Sequence, residues 1–220
     1  DAKGCARYAG VVIEGVAVKP SPEWLQQKLQ SIGLRSINNI VDITNFILHE
    51  TGQPLHAFDA DQIVDKKVVV KTYPKDTTFV TLDGTERKLA STDLMISDAQ
   101  KPLCIAGVYG GLHSGVTDQT KNIFLESAWF DNVYVRKTSV HHGLRTDAAT
   151  RFEKGVDIAN TANVLQRAAI MIQSIAGGKC SVVADQYPSV KKKAEVTLTF
   201  AYLKKLSGKN YAAEKVVALL

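Results

Sequence analysis

The period of the apolar residues changes from that of a strand to that of a helix within the first quarter of the chain. Residues 8–18 form a Val- and Ile-rich run that ends at Lys19-Pro20, the pattern of a buried strand leaving its sheet. Ser21-Pro22 then opens a helix, because serine accepts a bond from an orphan amide and proline fits the first helical position. Leu25, Leu29 and Ile32 fall on one face of it, and Gly33 stops it. Ile40, Val41, Thr44, Ile47 and Leu48 recur at helical spacing, which predicts a second helix over 40–48 terminated by Gly52 and Pro54.

The middle of the chain reads as sheet. Residues 68–71 and 77–82 are strand-like, and Asp83-Gly84 between Leu82 and the 86–89 run is a tight-hairpin signal. Residues 94–97, 103–108 and 122–128 are further short apolar runs, separated by Gln100-Lys101-Pro102 and by the glycine-bearing stretch 110–115. Helix returns after Asp131, a suitable cap for 133–142. Val164, Leu165, Ala168, Ile172 and Ile175 predict a long helix over 158–175 that Gly177-Gly178 terminates, and 180–184 supplies one more strand.

Residues 187–193 contain a proline and three consecutive lysines, the composition of a linker. Beyond it, 195–200 reads as a strand and 211–220 as a helix, too little to fold unaided when domains below ~40 residues rarely do. The expected organisation is a module over 1–190 followed by 191–220, a linker with the truncated start of another domain. The opening at Asp1, without an initiator methionine, fits a fragment. The sequence has no internal repeat or low-complexity tract.

Composition narrows the class without choosing a function. With 45% hydrophobic and 22% charged residues the chain is of ordinary globular type. No stretch approaches the ~18 uninterrupted apolar residues of a membrane helix, and no basic-then-apolar signal opens the chain, so a cytoplasmic protein without a membrane partner is expected. Cys5, Cys104 and Cys180 lack paired spacing, which suggests neither a disulfide framework nor a structural zinc site and favours reduced, partly buried thiols. The net charge of +5 permits a polyanionic partner such as RNA without requiring one.

Three stretches concentrate residues able to do chemistry. The first joins Asp42-Ile43-Thr44-Asn45 to Gly52-Gln53-Pro54-Leu55-His56-Ala57-Phe58-Asp59. His56 follows a proline in a segment with no helical period, where its imidazole serves either a cleft, as proton carrier or hydrogen-bond donor, or simply the core or a loop. The second joins Ala106-Gly107-Val108-Tyr109-Gly110-Gly111 to Leu125-Glu126-Ser127. Glycines after a strand let the backbone approach a ligand, although this run lacks the lysine of a phosphate-binding loop. Glu126 has two placements: inward among Phe124, Leu125, Ala128 and Trp129, where a charge needs a partner, or outward at a strand's period of two. The third runs from His141-His142-Gly143 through Arg145, Thr146, Asp147 and Ala148 to Gly155, an ordered surface of mixed charge. Adjacent histidines diverge on a helix and no third ligand has suitable spacing, so no metal is expected. No G-x-S-x-G nucleophile motif occurs.

Taken together, the segment from Asn38 to Asn45, the Gly52-to-Asp59 segment and His142-Gly143-Leu144-Arg145-Thr146-Asp147-Ala148 resemble the beta subunit of the bacterial phenylalanyl-tRNA synthetase family over about residues 7–190. The resemblance implies an α+β fold, a beta-rich three-layer core with flanking helices. It also implies a module that edits mischarged tRNA by hydrolysing tyrosyl-tRNA(Phe), with pocket motifs at Thr44, Asn45, His56, Ala106, Gly107, Gly110, Glu126, Thr146 and Ala148, and with Arg35 near the tRNA end. Glu126 is implied to recognise the tyrosyl hydroxyl, while His56, Thr44, Asn45 and the backbone around Gly107 hold the ester and a water. The water-activating group is His56 or a tRNA ribose hydroxyl. Implied partners are tRNA(Phe) and an alpha subunit in a heterotetramer. No cofactor is implied for this module, ATP and Mg2+ belonging to the synthetic site of the full enzyme. A non-catalytic tRNA-binding or scaffold module of the same subunit is the alternative. His141 departs from the family, where arginine is frequent.

Overall fold

The computed structural model describes residues 1–190 and 194–220; the lysine run 191–193, within the expected linker, lies outside the described residues. The chain divides into two compact units, 1–188 and 189–220. The first contains β1 (Cys5–Glu14), α1 (Glu23–Gln30), α2 (Asn39–Thr51), β2 (Leu55–Asp59), β3 (Val69–Thr72), β4 (Thr78–Val80), β5 (Glu86–Lys88), β6 (Leu94–Ser97), β7 (Pro102–Ile105), β8 (Tyr109–Gly110), β9 (Asn122–Phe130), α3 (Asn132–His142), α4 (Asp147–Lys154), α5 (Thr161–Ala176), β10 (Lys179–Cys180) and β11 (Ala184–Gln186). No helix among the described residues is long and apolar enough to cross a membrane.

The sheet that organises this unit has β9 at its centre, hydrogen-bonded to β1 on one side and β2 on the other, with β10 and β11 both on the far edge of β1. All its pairings are antiparallel. Side chains alternate between the two faces. Ala9, Val11 and Ile13, with Ala57, Ile123 and Leu125, pack against Leu25 of α1, Ile40, Ile43 and Ile47 of α2, and Leu165, Ala168 and Ile172 of α5. The even-numbered residues of β9 face the other way. Phe124, Ala128 and Phe130, with Tyr8 and Phe58, pack on the second sheet, ordered β3-β6-β7-β8, and on Val135, Ala149 and Phe152 of α3 and α4. The result is an α+β core in three layers: helices, sheet, and a second sheet joined by α3 and α4.

Several boundaries differ from the sequence pattern, each for a local reason. The first strand ends at Glu14 because Gly15 takes φ +76. The segment around His56 is strand β2, whose partner is β9. The final strand divides into β10 and β11, which pair with separate stretches of β1. The long helix begins at Thr161 behind a 3-10 turn at Ile158–Asn160. The third stretch of mixed charge contains a helix, α4, that its polar composition hid.

The second unit holds α6 (Phe200–Ser207) and α7 (Ala213–Leu219), and none of its described residues is buried. The strand expected over 195–200 is not formed: described residues before Phe200 have no pairing partner, and Thr199 instead caps α6 by accepting the Tyr202 amide. A β-branched run without a neighbouring strand has no ladder to join.

Candidate functional site

The polar residues of the first signature mostly build the frame on which a cavity hangs. Asn38 Oδ1 accepts the amides of Ile40 and Val41 and so caps α2. Asn39 Nδ2 donates to the Ala17 carbonyl, 2.9 Å away. Asp42, fully buried, accepts from the Ser21 and Ser36 hydroxyls and from the Ile37 amide. Charge-assisted bonds of this kind fix the loop entering α2 and the helix itself. Gln53 Nε2, similarly buried, donates to the Ala128 carbonyl at 2.8 Å and ties the end of α2 to β9.

Between α2, β2, the β7–β8 turn and the start of α4 lies a cavity of about 520 Å³, within the range of small-molecule pockets. Thr44 and Asn45 line it from α2, His56 from β2, Gly107 and Gly110 from the turn, Glu126 from β9, and Thr146 and Ala148 from α4. Two residues that the resemblance implied do not line it. Ala106 is buried behind the wall, its amide bonded to the Leu94 carbonyl. Arg35 is exposed on the loop before Ile37 and Asn38, which do line the cavity.

Glycine is required at the turn. Gly107 takes φ +67, and a Cβ there would lie 2.9 Å from Phe152 and 3.0 Å from Phe130. A side chain at this point would be strained in its backbone and would collide with the rings that back the cavity. Thr146 is committed to structure: its hydroxyl donates to the Val108 carbonyl at 2.8 Å and accepts the Ala149 amide, capping α4 while holding the turn.

Glu126 points inward. In the ladder it stands opposite His56 on β2 and opposite Gly10 on β1, so imidazole and acid share one face of the sheet. Only 4% of Glu126 is exposed, and its Oε2 accepts a 2.8 Å bond from the Tyr8 hydroxyl, whereas Oε1 has no hydrogen-bond partner among the described residues. Burial lifts this acid to about 8 even though the Tyr8 bond works in the opposite direction. His56 packs edge-on against Phe58, with ring centroids 4.4 Å apart, and its buried Nε2 has no hydrogen-bond partner among the described residues. Burial lowers the imidazole to about 4, which keeps it neutral at physiological pH.

Cys104 also lines the cavity, yet burial, reinforced by Glu126, pushes its thiol well above the ordinary range. A thiol held in that form is a poor nucleophile. Ser127, on the opposite face of β9 in the helical core, is fully buried and has, among the described residues, no hydrogen-bond partner and no neighbouring base in its ladder. Water, rather than a protein nucleophile, fits this arrangement.

Elsewhere, the structure gathers residues that spacing did not connect. Asp93 reaches His142, its Oδ2 2.7 Å from Nε2, with His141 close enough to make a possible ligand cluster. The same carboxylate accepts from Thr138 and from the Ala90 amide, so it is already used as a clasp between the loop before β6 and the end of α3. A shallower depression along α3, lined by Val133, Arg136, Val140 and Glu153 among others, contains no convergent buried polar group.

Tyr8 is the site residue that sequence reasoning missed. Its relation to Glu126 depends on β1–β9 register, and nothing in the local pattern around Tyr8 distinguishes it from other strand aromatics.

An α+β module whose cavity sets a buried acid beside a neutral imidazole defines the class. The model of the B3/4 domain family matches residues 4–177, and the chain belongs to that family. It is 51% identical over its whole length to the phenylalanine-tRNA ligase beta subunit of Bacteroides fragilis (strain YCH46), and 51% identical to that of Porphyromonas gingivalis. In each case it spans 27% of the relative's length. The Protochlamydia amoebophila subunit is 52% identical over 80% of the chain, which there spans 22% of the relative. Among solved structures, an N-terminal fragment of the phenylalanyl-tRNA synthetase beta-subunit from Pyrococcus horikoshii matches 95% of this chain and 58% of the fragment, with 16% identity and a TM-score of 0.49.

Proposed function

We propose that this module hydrolyses tyrosine wrongly esterified to tRNA(Phe), acting within a ligase assembled with an alpha subunit. The observation that carries this reading is Glu126, a buried acid with one oxygen unpartnered among the described residues, in a cavity lined by Ala148 and three glycines. Such a site inverts the usual difficulty of separating tyrosine from phenylalanine. A hydrophobic pocket separates analogues differing by one hydroxyl only weakly, whereas a buried polar group left unpaired rejects the analogue that lacks the hydroxyl.

A phenol entering the cavity gives Glu126 a second donor in addition to Tyr8, and hydrogen bonds to the charged form draw an acid toward the carboxylate. A phenylalanyl ring brings no donor and leaves the group desolvated, which costs about 1–3 kcal/mol. The ester lies toward His56, Thr44, Asn45 and the amides around Gly107. A water there attacks the ester carbonyl, and the ribose hydroxyl of the tRNA end departs. His56, lowered to about 4, holds a proton poorly, which suits it to orient the water or ester rather than to store the proton. Arg35 on the adjoining exposed loop is assigned to the tRNA end.

Single-turnover deacylation of tyrosyl-tRNA(Phe) and phenylalanyl-tRNA(Phe) by the intact heteromeric ligase tests the proposal. Selective clearance of the tyrosyl ester is expected. No clearance would leave a tRNA-binding scaffold as the reading of this module.

A further inference from the structure

Tyr8 and Glu126 form a buried diagonal pair across β1 and β9. Tyr8 stands opposite Ala128 and Gly10 opposite Glu126, so the tyrosine lies one rung along the same face. A diagonal separation of this kind is spanned only by long side chains. The phenol closes the distance with its 2.8 Å bond to Oε2. Tyr8 does not line the cavity; it reaches the acid from behind, its ring stacked with Phe124 at 6.5 Å and an interplanar angle of 14°. Gly10 leaves the place beside them without a side chain, and a Cβ there would run into the Phe124 ring at 2.3 Å. That ring is therefore confined between β1 and Tyr8, and the tyrosine's orientation is fixed by packing as well as by its hydrogen bond.

We propose that Tyr8 is a specificity-positioning residue: it takes Oε2 of Glu126 from outside the cavity, so that Oε1 is the one acceptor presented to a substrate phenol. The inference rests on the reading of the cavity as a tyrosyl-ester site and assigns Tyr8 no contact with substrate. Two consequences separate this role from simple packing. Without the phenol the acid can rotate and satisfy itself elsewhere, so recognition of a substrate hydroxyl weakens while the hydrolytic groups are undisturbed. The Tyr8 bond also opposes the effect of burial on Glu126, so its loss makes the proton on that acid harder to displace.

The test uses the intact ligase and single-turnover deacylation of tyrosyl- and phenylalanyl-tRNA(Phe) between about pH 6 and 9, a window that brackets the acid's raised titration. The enzymes are wild type, Tyr8→Phe, Glu126→Ala, and a form with 3-fluorotyrosine at position 8, a phenol of the same shape and greater acidity. Tyr8→Phe is expected to slow tyrosyl clearance about ten-fold at neutral pH and to move the midpoint of its pH dependence upward by about one unit, the equivalent of one charge-assisted bond. Phenylalanyl clearance should not fall, since that ester makes no hydrogen bond to the acid, and any change should be a rise as the rotated acid penalises the ring less. The fluorinated residue should move the midpoint downward. If Glu126→Ala abolishes the tyrosyl preference while Tyr8→Phe leaves both preference and midpoint unchanged, the role of Tyr8 is overturned and the site reading survives. If Glu126→Ala itself keeps the wild-type preference, the site reading falls. Should Tyr8→Phe fail to fold, the fluorinated enzyme decides, and an unmoved midpoint overturns the proposal.

Discussion

His56 and Glu126 occupy one rung of the β2–β9 ladder, the imidazole directly opposite the acid. Neighbours so placed still have separable tasks. His56 Nε2 is neutral and has no hydrogen-bond partner among the described residues, and on the proposed reading it serves water or ester while Glu126 Oε1 meets the phenol. Glu126→Ala is therefore expected to collapse discrimination from both sides. It removes a hydrogen bond of roughly 1.5–3 kcal/mol to tyrosine and removes the penalty on phenylalanine. His56→Ala should lower turnover of tyrosyl and other accepted esters alike. Single-turnover rates of both variants on tyrosyl- and phenylalanyl-tRNA check this, and a Glu126→Ala enzyme with undiminished tyrosyl preference would exclude the acid as hydroxyl sensor.

Ala148 sits half-buried on the first turn of α4, facing the cavity. A tryptophan there fills space that the resting fold leaves open, so on the proposed reading Ala148→Trp should block tyrosyl-tRNA clearance by at least about ten-fold and leave phenylalanylation nearly unchanged, because the added ring occupies this cavity alone. Both activities are measured on the same preparation of the full enzyme. Loss of phenylalanylation, or unimpaired clearance, would count against the assignment of the cavity.

The frame was legible in the sequence wherever one face of an element is apolar and its ends are capped. Leu25 and Leu29, Ile40 and Ile47, and Leu165, Ala168 and Ile172 marked helices, and the same residues form the helical layer. Short strands such as β2 and β8 were hidden, because a strand of two to five residues shows its period only once its partner is known. The cavity was partly legible. Thr44, His56, Gly107, Glu126 and Ala148 come from five separate elements, and the resemblance grouped them before any contact was known. Whether Glu126 faced inward was set by register with Gly10 and His56, information that no local window carries. The same register hid Tyr8, and the turn between β5 and β6 hid Asp93 from His142.

The Asp93 clasp bears on the expectation that the fold needs no metal. Asp93 is 1% exposed and accepts from Thr138, His142 and the Ala90 amide, so its oxygens are satisfied by the protein. Asp93→Ala should destabilise the protein by about 1–3 kcal/mol through the donors left unpaired. Exhaustive chelation should leave the thermal midpoint of the unsubstituted protein unchanged. A stoichiometric metal found by elemental analysis and lost together with structure would overturn this.

Glu126 should leave a signature in stability as well as selectivity. Its acid titrates near 4.5 when unfolded and at about 8 in the fold, raised chiefly by burial. Between those values the unfolded chain has released a proton that the native state retains. Stability contributed by the neutral acid is therefore complete below about pH 4.5 and is lost as pH rises through 8, a decline of about 1.4 kcal/mol per unit over that window. His56 acts in the opposite sense: lowered from 6.5 to about 4, it makes the fold lose stability as pH falls through that lower window. Glu126→Gln keeps the size of the side chain and an acceptor for Tyr8 but has nothing to ionise. The variant is expected to match wild type closely near pH 4.5 and to exceed it by on the order of a few kcal/mol above pH 8, flattening the alkaline limb while leaving the acid limb in place. Denaturant unfolding of the two proteins at matched pH values measures the difference directly. Parallel curves across pH 5–9 would mean that Glu126 reaches water in the native state, and its enclosure in the cavity would then be wrong.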